Sequence, residues 1–141
     1  TIIEAPTTHI SKTDKDLGFA HGKSDGGYKV KGLAGIYWQA PYLHDGGVAV
    51  GPDKEEDLGV TGTLLKGMKP DPFNSMLALI DRNLRAKVIQ ANHSSDDLKD
   101  VNIEGIGHKF WVDKESGYTE KEQHAIVEYI LSLTGEEEEE N

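Results

Sequence analysis

"DPFNSMLALIDRNLRAKVIQANHSS", Asp71 to Ser95, is the stretch whose reading decides the fold. Phe73, Leu77, Ile80, Leu84 and Val88 recur at spacings of four and three, which puts them on one stripe of a helix. Asp81, Arg82, Arg85 and Lys87 populate its other sides. Asn74 or Ser75 can cap the start, and "NHSS" ends it. A second helix is signalled in "YTEKEQHAIVEYILSLTG", Tyr118 to Gly135. There Thr119 precedes Glu122 by three residues, a capping box, and Gly135 supplies a C-terminal stop. Ile126, Tyr129, Ile130 and Leu133 share a face of that helix. A short third helix over 33–40 is limited by Pro41. The expectation is a mostly α chain, with two helices of about 18 and 15 residues joined by long loops.

The 141 residues have the length of one domain, which would bury roughly two-thirds of its unfolded surface. A hydrophobic fraction of 36% with 16 glycines points to a modest core and many turns. Long loops without secondary structure argue against a compact assignment unless they wrap something, and a cofactor is one candidate. Residues 1–31 read as an irregular arm, with hairpin chemistry in "SDGGYKV". Residues 32–135 read as the domain and 136–141 as a disordered acidic tail.

A net charge of −10 argues against a phosphate-backbone partner, which needs clustered Lys and Arg. The absence of cysteine excludes disulfides, zinc thiolates, a cysteine nucleophile and covalent haem attachment by this chain. No apolar run reaches the ~18 residues of a membrane span. A start at "TIIEAPTTH", without Met or an apolar leader, suggests a processed or excised N-terminus. No nucleophile elbow, phosphate loop, dinucleotide fingerprint or zinc-protease motif is present.

The remaining chemistry lies in six histidines. His9 and His21 fall in the arm, His93 follows a helix end where an imidazolium suits the dipole, and His124 reads as a surface residue. His44 in "APYLHDGG" and His108 in "EGIGHKFWVD" differ, because each sits among aromatics and glycines. Such surroundings suit an iron ligand, with Asp45 able to fix the tautomer of His44; they equally suit core histidines beside turns. In "DGGVAVGPDKEED", Asp53, Glu55, Glu56 and Asp57 miss the alternating positions of a calcium loop, which leaves Ca2+ a minor reading.

Two segments carry a resemblance. "LAGIYWQAPYLHDGGV" resembles the "APY-x-H-(D/N)-G" signature of bacterial di-haem cytochrome c peroxidases and the related rubber-oxygenase-like cytochromes. "GIGHKFWVDKESGYTEKEQHAIVEYILSL" is similar to the ending of many of those proteins. The resemblance implies a cytochrome c-like domain or half-domain. It implies His108 as the distal axial ligand of a haem, with His44 and Asp45 lining the pocket. Tyr37, Trp38, Tyr42, Phe110 and Trp111 would be packing around it. Met68 is the nearest counterpart of a distal methionine found in the peroxidase branch.

The chain departs from the family in having no Cys-x-x-Cys-His attachment motif. It would then be a C-terminal piece or split subunit completing a haem site on another polypeptide, a haem-free structural or interaction relative, or a non-covalent haem binder. The first implies electron transfer or peroxidase-like or oxygenase-like oxidoreductase chemistry, in the periplasm or outside the cell. The acidic surface could steer a basic redox partner.

Overall fold

In the computed structural model, residues 32–134 are described. The arm 1–31 with its hairpin signal, His9 and His21, Gly135 and the tail 136–141 lie outside the described residues. Contacts divide the chain at Gly32–Leu33, and every helix among the described residues belongs to the second unit.

Four α-helices are found among the described residues: α1 (Gly59–Gly62), α2 (Pro72–Ile80), α3 (Arg82–His93) and α4 (Glu120–Ser132). Short 3-10 turns cover Ile36–Gln39, Leu64–Lys66 and Lys114–Ser116. Extended pairing among these residues is limited to two isolated antiparallel bridges, Tyr42 with Val48 and Val50 with Leu58. The mostly α expectation therefore holds, and the short helix expected over 33–40 is a single 3-10 turn.

The one long helix expected from Phe73 onward is two. Asp81 breaks it with an extended backbone, φ −104° and ψ 118°. Its carboxylate then caps α3, accepting from the N–H groups of Asn83 at 3.0 Å and Leu84 at 2.9 Å. An aspartate in mid-stripe reads as solvent-facing by periodicity, yet its short side chain competes for backbone donors and starts a new helix. The start of α2 also differs from expectation. Asp71 is the cap, bonding the Asn74 N–H at 2.8 Å, with Pro72 in the first turn. Asn74 instead donates to the carbonyls of Gly51 and Pro52, and the Ser75 hydroxyl exchanges two bonds with the backbone of Val50. These contacts fasten α2 to the 50–52 segment.

The break leaves no stranded carbonyl at the end of α2, where four normally lack partners. Leu77 O accepts from Asp81 N, Ala78 O and Leu79 O accept from the Arg85 guanidinium, and Ile80 O accepts from Val112 N.

The core gathers Val48, Val50, Met76, Leu77, Leu84, Val88 and Val127. Each such side chain contributes about 1.5–3 kcal/mol on burial. In α4 the capping box forms as expected between Thr119 and Glu122. The buried face is Gln123 and Val127, with Ile130 half-buried, rather than the face of Tyr129, which is 66% exposed. No helix among the described residues is long and apolar enough to cross a membrane.

Candidate functional site

The "APYLHDGG" segment folds into a tight loop. Tyr42 and Val48 exchange both backbone bonds, and Gly46 N donates to Leu43 O at 3.1 Å across the tip. Leu43 and Gly46 take positive φ, 67° and 63°, which brings His44 to an exposed crown. Tyr42 turns inward and donates its hydroxyl to Ile36 O; burial, with the charge of Asp71 adding to it, pushes the phenol up to about 12.

Asp45 carries the next step. One carboxylate oxygen accepts from Gly47 N at 2.8 Å, and the other from Glu104 N at 3.0 Å and Gly105 N at 2.9 Å. Burial alone would raise its pKa, but the N–H groups of Gly105, Glu104 and Gly47, with His44 nearby, outweigh it and hold the carboxyl below its ordinary value. These backbone bonds give Asp45 a structural role. Asp45 joins the two histidine motifs, although they lie about 60 residues apart in the chain.

Two more buried polar residues hold the same junction. Asn92 accepts from Val60 N at 2.9 Å and donates to Gly47 O at 2.9 Å and Glu104 O at 3.1 Å. Arg85, only 2% exposed, donates to Gly105 O and Gly107 O, both at 2.9 Å. Burial pulls its guanidinium below the ordinary arginine value, the charge of Asp45 acting the other way. At Gly47 a side chain is impossible, because a Cβ would lie 2.1 Å from Gly105 N.

What this bracing presents is the segment 105–110. Gly105, Gly107 and His108 have φ of 84°, 137° and 41°. A positive φ at a histidine is uncommon and persists only where the surroundings hold it. His108 is exposed, as are Ile106 at 44% and Phe110 at 80%. Trp111 stays half-buried with the guanidinium carbons of Arg82 and Arg85 at 5.9 and 5.6 Å from its ring centre. Trp38 is 85% exposed with Tyr37 edge-on to it. Trp38 and Phe110 therefore do not pack into this chain's own core; Tyr42 does.

Met68 lies elsewhere. Its sulfur faces Gly51, and it lines a cavity of about 720 Å3 with Phe73, Leu77 and His124. His124 is not simply a surface residue, since its ring meets Phe73 edge-on at 5.2 Å. His93 ends α3, 3.4 Å from a Glu104 oxygen. In the acidic loop, Asp53 accepts from the N–H groups of Glu55 and Glu56, and Asp57 from that of Asp53. Among the described residues, no group of three or more His, Cys, Asp or Glu is placed to share a metal ion.

Sequence reasoning missed Arg85, Asn92 and Gln123. Helical spacing assigns Arg85 to a polar side, and no local pattern marks a residue whose partners are backbone carbonyls on distant segments. No known protein family, characterised protein or solved structure matches the chain. Fold and site together define a mostly helical domain that braces an exposed histidine segment through buried polar side chains.

Proposed function

We propose that this chain supplies the distal side of a haem held by another polypeptide, with His108 as the axial ligand. The observation that carries the reading is the bracing of 104–107 by Asp45, Asn92 and Arg85, which leaves His108 and Phe110 outward. Together these polar side chains hold the segment that carries an exposed histidine at positive φ.

The residues present fit that group. An exposed imidazole can take a single axial position, flanking glycines keep the approach open, and Ile106 and Phe110 offer apolar surface that excludes water. Having no cysteine, the chain offers no thioether attachment, which is why the proposal places the haem on another polypeptide. When bound, it would supply one-electron chemistry, in electron transfer or in support of peroxide or oxygen reactions. His44 and Asp45 would act from the neighbouring loop, Asp45 by fixing backbone and His44 by lining the approach. By the same resemblance the setting is periplasmic or extracellular.

The test is a titration with a ferric haem peptide containing Cys-x-x-Cys-His, followed at the Soret band. The native chain should shift the band; His108→Ala should abolish the shift, and His44→Ala should keep it. A shift that survives His108→Ala removes the assignment.

A second reading is a haem-free interaction subunit. It is favoured by the exposure of Trp38 and Phe110, since large aromatic side chains in the open are typical of protein contact surfaces. It predicts no shift for the native chain.

A further inference from the structure

Arg85 is the largest fully buried side chain among the described residues. None of their carboxylates forms an ion pair with it, and its acceptors there are all backbone carbonyls. Nε donates to Ala78 O and one terminal nitrogen to Leu79 O, both at the end of α2, at 2.9 and 2.8 Å. The other terminal nitrogen donates to Gly105 O and Gly107 O. A rigid planar fork of N–H donors can satisfy four carbonyls on two segments at once, whereas a lysine ammonium is a compact centre with three donors. Gly107 immediately precedes His108, and the two have φ of 137° and 41°. A non-glycine residue at positive φ is uncommon and persists where its surroundings hold it.

We infer that Arg85 is a positioning residue for His108: its guanidinium pins the Gly105 and Gly107 carbonyls to the end of α2 and so sets the direction in which the imidazole is presented. The inference rests on the reading of His108 as a ligand and assigns Arg85 a role through the backbone, without contact to the cofactor. The Arg85 guanidinium carbon lies 5.6 Å from the Trp111 ring centre, and Asn92 and Asp45 fix the same segment from its N-terminal side.

The experiment titrates the full chain, Arg85→Lys and Arg85→Ala with the ferric haem peptide and follows the Soret band, with thermal unfolding by circular dichroism as the check on folding. Arg85→Lys should unfold cooperatively yet bind the peptide about tenfold more weakly, or with an altered band position. In Arg85→Ala, millimolar methylguanidinium should restore the native spectrum, a rescue that general destabilisation does not give. An Arg85→Lys chain with native affinity and spectrum overturns the inference while leaving His108 as ligand. If the native chain itself shows no shift, the ligand reading fails separately, and the positioning role is decided by NMR. Unmoved Gly107 amide and His108 ring signals in Arg85→Lys then overturn it; displaced signals that methylguanidinium restores in Arg85→Ala support it.

Discussion

Val88 and Arg85 stand three residues apart on α3, both almost wholly buried, and they hold two different regions together. Val88 belongs to the apolar layer of α2, α3 and α4, where contacts are non-directional and a changed side chain can be partly accommodated by its neighbours. Arg85 belongs to the loop face, where Asp45, Asn92 and Arg85 grip backbone atoms of 47 and 104–107 by hydrogen bonds. Such bonds fix direction as well as distance, and each leaves an unsatisfied group if its partner is removed. The helix layer gives the molecule its stability; the loop face gives one segment its geometry.

The largest loss should come from the first region. Met76→Ala, at a side chain 2% exposed, should cost about 2–5 kcal/mol in urea unfolding and raise amide exchange in all helices together. Exchange confined to α2 would mean that the layer is not one cooperative unit.

Asn92→Ala should cost less, about 1–3 kcal/mol, because it strands Val60 N–H and the carbonyls of Gly47 and Glu104. Its signature should be local, with faster exchange at Val60 and Gly105 while Leu84 and Val88 stay protected. A uniform change across the chain would erase the distinction between the two regions.

A smaller, pH-dependent effect should mark the place where the regions meet. Asp113 accepts from Arg82 through Nε at 2.8 Å and Nη2 at 3.1 Å, and from Ser116 N at 3.0 Å. The Arg82 guanidinium is the main reason its carboxyl lies well below the ordinary 3.8; burial opposes the shift, and the backbone N–H groups of Arg82 and Ser116 assist it. A carboxyl with a lowered folded value contributes its full stability above the unfolded value and loses it as pH falls below about 4. The midpoint of thermal unfolding should therefore drop in acid for the native chain. Asp113→Asn should start lower at neutral pH and show a shallower acid limb. Parallel acid limbs would contradict the assignment.

Much of this was legible in the residues. The stripe from Phe73 to Val88 marks positions that are in the core or packed against it on both sides of the break at Asp81. The break itself was hidden: an aspartate reads alike on a helix surface and as a cap until its backbone is known. Thr119 and Glu122 announced their box because both partners lie within one turn. "APYLHDGG" and "EGIGHKF" announced themselves by composition, and the structure brings them together through Asp45. Nothing in the sequence could pair Arg85 with Gly105 and Gly107, since its acceptors are main-chain atoms that every residue possesses.

The central claim is that the braced segment exists to present His108 to a haem iron. Electron paramagnetic resonance of the ferric haem peptide mixed with the native chain tests it most directly. A low-spin signal with the native chain that reverts to high spin in His108→Ala is the predicted result. A high-spin signal with the native chain, or the same low-spin signal in His108→Ala, would contradict the account.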